Sequence, residues 1–320
     1  MLLKTSMGKY IYTILVIIVL LPISKISNYS ELISPAISLL LGLLFAIIFK
    51  NPYPRFNKKT SKYLLQVAIV GYGFTMNLHE SLKSGADGMT FTLISVIGVM
   101  LIGVALGYWL HVDRKTAYLL ASGTAICGGS AIAAVGPVIK ANDNEMAVSL
   151  GVIFLLNALA LFIFPPLGHI MNMSETQFGT WAAIAIHDTS SVVGASDSYG
   201  DVALQTATLV KLTRALWIIP LAVVTMFAFK GNSSKISIPW FIFIFIAAIL
   251  INTYIPLPTI LTSNVAYWAK KGMALTLFMI GASLSIKNIK SVGIKPLVLA
   301  VLLWILIGLS SLIVVINTIS

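Results

Sequence analysis

Two basic residues one helical turn apart, Lys211 and Arg214, lie inside an apolar stretch that is long enough to cross a lipid bilayer. Their spacing places both cations on one face of a helix, and Thr208 extends that polar face by one turn. At 1.5 Å per residue, Lys211 is about 15 Å from the start of this stretch, near the middle of the hydrocarbon layer. Charges at that depth are costly unless they face an aqueous cavity or a counter-charge, so we expect the pair to face the protein interior.

The preceding apolar stretch carries groups that complement these cations. His187 and Asp188 are followed by the hydroxyl side chains of Thr189, Ser190 and Ser191. Asp, Ser and Thr cap helix N-termini, so this segment predicts a helix that ends and restarts inside the membrane. The restarted helix would present free backbone N–H groups and the positive end of its dipole, which together favour an anion. Because histidine exchanges protons near neutral pH, His187 with Asp188 is the candidate pair for proton coupling.

A second interruption is predicted at Gly128 and Gly129, where two glycines divide another apolar stretch. Ser130 can cap the half-helix that follows, although glycines in membrane helices also serve simply to bring helices close together. Two restarted helices that face one cavity would surround a small anion with hydrogen-bond donors. The predicted substrate-binding residues are Gly128, Gly129, Ser130, Ala131, Thr189, Ser190, Ser191, Lys211 and Arg214.

The composition indicates which solvent surrounds these segments. Of 320 residues, 58% are hydrophobic and 10% are charged, whereas soluble domains have roughly 25% charged residues. At about 20 apolar residues per crossing, the sequence predicts an all-α polytopic membrane helix bundle of about eleven transmembrane helices, with no soluble domain. The predicted crossings are near residues 10–24, 33–49, 62–79, 91–111, 117–139, 146–168, 178–196, 203–229, 237–253, 268–286 and 296–317.

The net charge of +11 reflects Lys and Arg residues in the loops, which we interpret as a topology signal and not as a nucleic-acid-binding surface. With a cytoplasmic N-terminus, fourteen basic residues fall inside and five fall outside, Lys140 among the latter. The sequence therefore predicts a multi-pass protein of the cell membrane with its C-terminus outside. The exit of the first apolar run, at 21–25, lacks an Ala-x-Ala cleavage pattern, so we expect that run to be retained as a helix.

Several chemistries are not indicated by the sequence. Cys127 is the single cysteine and the four histidines are scattered, so no metal-ligand cluster is predicted. No paired catalytic carboxylates and no phosphate-binding loop are present. We expect no cofactor and no enzymatic activity. The remaining enzymatic alternative is an intramembrane hydrolase with a Ser130–His187 dyad.

Two internal similarities bear on the architecture. Residues 73–85 and 281–293 have the same glycine-to-glycine spacing and, in the eleven-helix topology, run in opposite directions across the membrane. Oppositely oriented repeats are typical of secondary transporters, whose substrate site lies near the bilayer centre. A second similarity relates residues 130–135 to 190–195, which run in the same direction in that topology. The two similarities therefore do not fit one inverted duplication.

Four features together resemble a known family. They are the Cys-Gly-Gly-Ser-Ala-Ile-Ala-Ala segment at 127–134, the acidic residues Asp143 and Glu145, the His-Asp-Thr-Ser-Ser-Val-Val-Gly-Ala segment at 187–195, and the Lys-Leu-Thr-Arg segment at 211–214. With these features the chain resembles the YeiH-type membrane proteins, a family described as sulfate exporters, over nearly its whole length. The resemblance implies membership in the group of cation:proton antiporters and anion transporters. The fold of that group has two inverted five-helix repeats with crossed broken helices, and a core domain that moves against a panel domain.

Carried over to this sequence, that fold implies one transmembrane transporter domain with an extra N-terminal helix at 1–30 and repeats at 31–172 and 173–320. The second broken helix would then be the tenth, at Gly281 to Ser283, instead of the seventh, at Asp188. This resemblance adds Ser283 to the substrate-binding candidates. The identity of the second broken helix stays open at this point.

The function expected from these features is secondary active transport of a small oxyanion, either sulfate or a related sulfur anion or sulfonate. Export is the direction that the resemblance implies, with protons or another ion such as sodium as the coupling ion. The predicted cavity contains two cations, Lys211 and Arg214, and one carboxylate, Asp188, and this excess of positive charge favours an anion as substrate. The main alternative is a cation:proton antiporter with Asp188 as the carrier. The expected partners are the anion, the coupling ion and the lipid bilayer, and a homodimer is left open.

Overall fold

The computed structural model describes residues 2–21, 35–49, 51–229, 240–283 and 293–319, and the regular structure in these ranges is entirely α-helical. In chain order the helices are α1 (Leu2–Leu20), α2 (Pro35–Ile48), α3 (Pro54–Gly73), α4 (Leu78–Trp109), α5 (Arg114–Ala125), α6 (Gly129–Val138), α7 (Asp143–Ile170), α8 (Glu175–Ala185), α9 (Thr189–Asp197), α10 (Asp201–Ala215), α11 (Ile218–Ala228), α12 (Phe241–Tyr254), α13 (Thr259–Ser283) and α14 (Ile294–Thr318). They form two compact units, one of residues 1–80 and 240–286 and the other of residues 81–239 and 287–320.

Four stretches of the second unit are long and apolar enough to cross a membrane. They are Thr92–Trp109 in α4, the whole of α7, the Asp201–Ala228 stretch formed by α10 and α11, and the whole of α14, with mean hydropathy between 1.7 and 2.9. Large apolar side chains on α4 and α14, such as Ile94 and Ile313, are exposed on the outside of the helices. The expected class, an all-α membrane helix bundle, is confirmed.

The first unit is organised around α13, which packs against α2 and α3. A Cβ atom on Gly281 would lie only 2.5 Å from the carbonyl oxygen of Leu39, so this glycine allows the backbones of α13 and α2 to approach closely. The helix continues through Gly281 to Ser283. The interruption that the resemblance implied at Gly281 to Ser283 is therefore wrong. The glycine there serves helix packing, and residues 284–292 lie outside the described ranges.

The orientation of α3 and α13 agrees with the similarity between residues 73–85 and 281–293. Gly71, near the end of α3, packs against Ala269, whereas Leu64, earlier in α3, packs against Gly272. Rising numbers in one helix meet falling numbers in the other, so the two helices are antiparallel. The glycine-to-glycine segments thus begin in the last turns of two oppositely directed helices.

In the second unit, α5 and α6 form a re-entrant hairpin. The Nζ atom of Lys115 donates a hydrogen bond to the carbonyl oxygen of Lys140, at 2.8 Å. Two half-helices of 12 and 10 residues placed end to end would separate these residues by about 33 Å, and a lysine side chain reaches only about 6 Å. The chain therefore enters along α5, turns at 126–128 and returns along α6. We call this segment hairpin 1.

A second hairpin, formed by α8, the turn at 186–188 and α9, is closed at its base in the same way. The Tyr199 hydroxyl donates to the carbonyl oxygen of Met173 at 2.7 Å. Glu175, at the start of α8, accepts a hydrogen bond from the backbone N–H of Val202 at 2.8 Å, at the start of α10. Both ends of this segment, which we call hairpin 2, thus lie at one end of the second unit.

The two hairpins enter from opposite ends of this unit. α7 has 28 residues, or a length of about 42 Å, and connects the base of hairpin 1 to the base of hairpin 2. The α10–α11 stretch returns to the first end, where the Arg114 guanidinium lies 5.1 Å from the centre of the Phe229 ring. The predicted crossings at 117–139 and 178–196 are therefore wrong, because each segment turns back at its interruption.

This topology also explains the similarity between residues 130–135 and 190–195. α6 runs from the tip of hairpin 1 to one end of the second unit, and α9 runs from the tip of hairpin 2 to the opposite end. The two segments have opposite directions, and the parallel orientation predicted for them is wrong. They are the returning arms of an inverted pair of hairpins.

Candidate functional site

The tips of the two hairpins meet inside the second unit. A Cβ atom on Gly128 would lie 3.4 Å from the carbonyl carbon and oxygen of His187 and 3.1 Å from Ile153. Gly128 has φ +62°, a left-handed conformation that favours glycine. The helix interruptions predicted at Gly128 and at Asp188 are both present, and the fold brings them into contact.

Lys211 caps the C-terminal end of α8. Its Nζ atom donates to the carbonyl oxygens of Ala183 at 3.1 Å and Ile186 at 2.6 Å. The Ala183 carbonyl belongs to the last turn of α8 and the Ile186 carbonyl to the residue that follows the helix. Carbonyl groups at this end lack intrahelical partners, and the helix dipole is negative there. The Lys211 side chain is fully buried, and its hydrogen bonds go to these carbonyls and not to the Asp188 carboxylate. Lys211 therefore fixes hairpin 2 to α10.

Two further side chains hold the tip of hairpin 2. The indole Nε1 of Trp304 on α14 donates to the carbonyl oxygen of Ala185 at 3.1 Å. The Asn157 side-chain oxygen on α7 accepts from the backbone N–H of Asp188, also at 3.1 Å. Helices α7, α10 and α14 thus all bind this tip. Neither Trp304 nor Asn157 was predicted from the sequence, although an asparagine inside the apolar α7 is the kind of polar intramembrane residue that indicates a role.

Asp188 caps the N-terminal end of α9. Its carboxylate accepts hydrogen bonds from the Ser190 backbone N–H, at 3.1 Å, and from the Ser190 hydroxyl. The Asp188 carboxylate thus already occupies the position at the start of α9 where a bound anion was predicted from the sequence. Ser190 and Ser191 are buried, whereas Asp188 and Thr189 are partly exposed.

The start of α6 has no such cap. Its N-cap residue is Gly128, which has no side chain, and the first turn carries the N–H groups of Gly129, Ser130 and Ala131. Ser130 is exposed and Gly129 is partly exposed, whereas Ala131 is fully buried. The buried Cys127 thiol interacts with the Ala131 N–H and with the Ser130 side chain. Of the two restarted helices, α6 therefore begins without a carboxylate cap.

Arg214 and His187 are buried without a full set of partners. Arg214 is fully buried and donates from Nη1 to the Ser95 hydroxyl on α4 at 2.9 Å, whereas its Nε and Nη2 atoms have no hydrogen-bond partner. His187 is 1% exposed, and neither ring nitrogen has a partner. Both Lys211 and Arg214 lie close enough to interact electrostatically with the His187 ring. These residues form a buried basic cluster directly behind the hairpin tips.

Ser283 belongs to the first unit and not to the one that contains the hairpin tips. Its hydroxyl donates to the carbonyl oxygen of Met279 at 2.8 Å and accepts from the Asn51 side chain at 3.1 Å. Both bonds tie the end of α13 to its own surroundings. The role that the resemblance gave to Ser283 in substrate binding stays a prediction.

The base of hairpin 2 is polar and well bonded. Burial, with a smaller contribution from the nearby Glu175 carboxylate, raises the pKa of Tyr199 above its usual value. The phenol therefore stays protonated and keeps its hydrogen bond to Met173. The Tyr199 ring also stacks on Phe178, with ring centres 3.8 Å apart. This end of hairpin 2 is thus firmly closed.

A cavity of about 320 Å³ lies between α4 and the α10–α11 stretch, lined by Thr92, Thr213, Leu216, Trp217 and Pro220. It adjoins the helix that carries Arg214, but none of the predicted site residues lines it. Within the described ranges, no group of three His, Cys, Asp or Glu side chains is placed to hold a metal ion.

The fold and the comparisons with known proteins define the class as a helical membrane protein with transmembrane helices. The chain belongs to the family described as "Conserved hypothetical protein 698", whose model matches residues 10–300. A protein of Bacteroides thetaiotaomicron is 57% identical over 293 residues, which cover 91% of this chain and 88% of that protein. A protein of Porphyromonas gingivalis is 49% identical over 319 residues, with 97% and 96% covered. Both relatives are named "UPF0324 membrane protein". No solved structure matches this chain.

Proposed function

We propose that this protein is a secondary active transporter of a small oxyanion, either sulfate or a related sulfur anion or sulfonate. The observation that carries the proposal is the meeting of two oppositely entering hairpin tips beside the buried Lys211 and Arg214. Interrupted backbone at membrane depth requires protein or water around it, and inverted elements that meet at the centre are typical of secondary transporters. The two cations favour an anion as substrate.

The binding position lies at the first turn of α6. Gly129 is partly exposed and Ser130 is exposed at this turn, and their N–H groups and the Ser130 hydroxyl are the proposed donors, with a second hydroxyl from Thr189 on hairpin 2. Arg214 is the cation with unused donors, since its Nε and Nη2 atoms have no partner. Lys211 contributes its charge while it holds α8 in place. Gly128, Ala131, Ser190 and Ser191 shape the two tips.

Coupling to protons involves His187 and Asp188. The unpartnered His187 ring is next to both cations and can accept a proton when an anion reduces the local positive charge. Asp188 is partly exposed, so its carboxylate can exchange protons with the solvent. We assign export as the direction, as the family resemblance implies.

The test is uptake of radiolabelled sulfate and a labelled sulfonate into liposomes that contain the purified protein. Replacement Arg214→Gln is expected to abolish transport of both anions, because it removes the cation with free donors. The matched control is Arg114→Gln, since Arg114 is exposed and lies against the Phe229 ring far from the tips. Equal transport by the Arg214→Gln variant and the native protein would contradict the proposal.

A cation:proton antiporter is the second candidate, and the partly exposed carboxylate of Asp188 at the meeting point favours it. Its weakness is that cation sites usually present several oxygen ligands. If the protein is a cation:proton antiporter, Asp188→Asn should abolish sodium-dependent proton movement, and sulfate should not change proton movement by the native protein. The hydrolase alternative lacks its central contact, because the exposed Ser130 makes no hydrogen bond to His187.

A further inference from the structure

The charged side chains near the hairpin tips are unequal in number. Lys211 and Arg214 are fully buried and positive, and Asp188 is negative, so the sum is 2 − 1 = +1. The Lys211 Nζ atom donates to two carbonyl groups at the negative end of α8, and arginine stays charged in proteins. Cys127 and His187 add no charge as long as the thiol keeps its proton and the ring is neutral.

An uncompensated charge away from water is costly, and the cost falls when a ligand of opposite sign neutralises it. The unpartnered atoms of the cluster have the matching chemistry. Nε and Nη2 of Arg214 are donors only, and the two ring nitrogens of His187 are one donor and one acceptor. The buried donors without partners favour a ligand with several acceptor oxygens. The one excess positive charge favours a ligand with one negative charge.

We infer that the site between the hairpin tips takes one net negative charge per cycle. It binds a monoanion, such as a sulfonate, directly, and it binds a dianion, such as sulfate, only together with one proton on His187. This inference rests on the proposed transport of an oxyanion and names the charge class of its substrate.

The proton is assigned to His187 because both of its ring nitrogens are buried without a hydrogen-bond partner. Lys211 and Arg214 on α10 act on the ring and oppose a further positive charge, and Asp188 follows it in the same turn. From hairpin 1, the Cys127 thiol interacts electrostatically with Lys211 and Asp188. A monoanion leaves the sum of charges at zero, and the ring stays neutral. A dianion leaves a sum of −1, and uptake of one proton from the bulk solvent by a ring nitrogen of His187 restores zero.

The experiment measures binding of methanesulfonate and of sulfate to the purified protein by calorimetry at pH 8 and pH 6. Both ligands keep their charge between these pH values. Methanesulfonate is expected to bind at least about tenfold tighter than sulfate at pH 8, which is about 1.4 kcal/mol. At pH 6 sulfate affinity should rise by about tenfold or more, because proton uptake is linked to binding, while methanesulfonate affinity stays constant.

Two substitutions separate the charges. His187→Gln should remove the gain of sulfate affinity between pH 8 and pH 6, because the glutamine side chain cannot take up the proton. Asp188→Asn raises the sum of charges to +2 and keeps a side-chain oxygen that can cap α9. This variant should prefer sulfate over methanesulfonate at both pH values. The exposed Arg114→Gln variant is the control and should match the native protein.

The outcomes distinguish this inference from the proposed function. Tight sulfate binding that is equal at pH 8 and pH 6, or an unchanged preference in Asp188→Asn, would overturn the charge inference and leave anion transport standing. Binding of neither anion by a protein that is folded by circular dichroism and monodisperse in detergent would overturn the proposed transport function and the inference together.

Discussion

Lys211 stabilises hairpin 2 because its ammonium group donates hydrogen bonds to two main-chain carbonyl groups at the end of α8. Replacement Lys211→Met keeps the volume of the side chain and leaves the Ala183 and Ile186 carbonyls without that partner. Each buried acceptor left unpaired costs about 1–3 kcal/mol, so for the two carbonyl groups we expect the free energy of unfolding to fall by about 2–6 kcal/mol. Thermal unfolding of the detergent-purified protein without anions measures this loss. Lys140→Ala, at an exposed side chain, is the control and should not change the transition.

Gly128 is the residue at which the two hairpins touch, and its conformation excludes larger residues. An alanine would cost about 1–2 kcal/mol for the left-handed backbone alone, and its Cβ would press against Ile153 at 3.1 Å. We expect Gly128→Ala to lower the unfolding temperature and to reduce sulfate uptake. Gly98→Ala is the matched control, since nothing lies within 4 Å of a Cβ there. Equal effects of the two substitutions would show that the contact at Gly128 has no special importance.

At the residue level, the sequence indicated both helix interruptions and the buried basic pair, because capping residues and charges are costly inside an apolar stretch unless a helix ends there or a polar site surrounds them. It did not indicate the partners of Lys211. A cavity or a counter-charge was expected, whereas the structure places the ammonium on main-chain carbonyls. The pattern of side chains in a sequence does not indicate which main-chain carbonyl groups will lie near a given residue in the fold. The same holds for Asp188, whose own helix start uses its carboxylate.

The hairpins illustrate a limit of hydropathy at the scale of helices. A half-helix of 12 residues, a turn and a half-helix of 10 residues together match the about 20 residues of one crossing. Direction after the turn depends on Gly128, whose left-handed backbone reverses the chain, and on contacts such as Gly123 with Ile132 at 3.1 Å. Composition and length therefore identify an apolar segment, but they do not show whether it crosses the membrane or turns back as a hairpin.

Chemical cross-linking tests the hairpin geometry. The double substitution Lys115→Cys and Ala141→Cys, in a Cys127→Ala background, should be cross-linked by a short bis-maleimide. The two positions are close because the Lys115 side chain reaches the Lys140 carbonyl. An uninterrupted crossing would hold the same two positions on opposite sides of the membrane. Protease digestion followed by mass spectrometry identifies the linked peptides. The control pair is Lys115 with Ser198, an exposed residue at the base of hairpin 2, and it should give no link.

For the second unit as a whole, the two ends differ in charge. Lys115 and Lys140 lie together at the base of hairpin 1, so the prediction that they lie on opposite sides of the membrane is wrong. Residues 171–203, which include the base of hairpin 2, contain no Lys or Arg but do contain Glu175 and Asp201. The chain end lies on that acidic side too, since the Gln177 side chain donates to the carbonyl oxygen of Ile319 at 2.7 Å. Basic residues accumulate on the cytoplasmic side of membrane proteins.

This asymmetry predicts that hairpin 1 enters from the cytoplasm and hairpin 2 from the outside. Single cysteines at Ala141 and Ser198, again with Cys127→Ala, serve as reporters, since both positions are at least partly exposed. In intact spheroplasts a membrane-impermeant maleimide should modify Ser198→Cys and leave Ala141→Cys unmodified, whereas inside-out vesicles should give the reverse. Labelling of both from the same side would contradict the inverted arrangement, because the site at the hairpin tips could then not be approached alternately from the two sides.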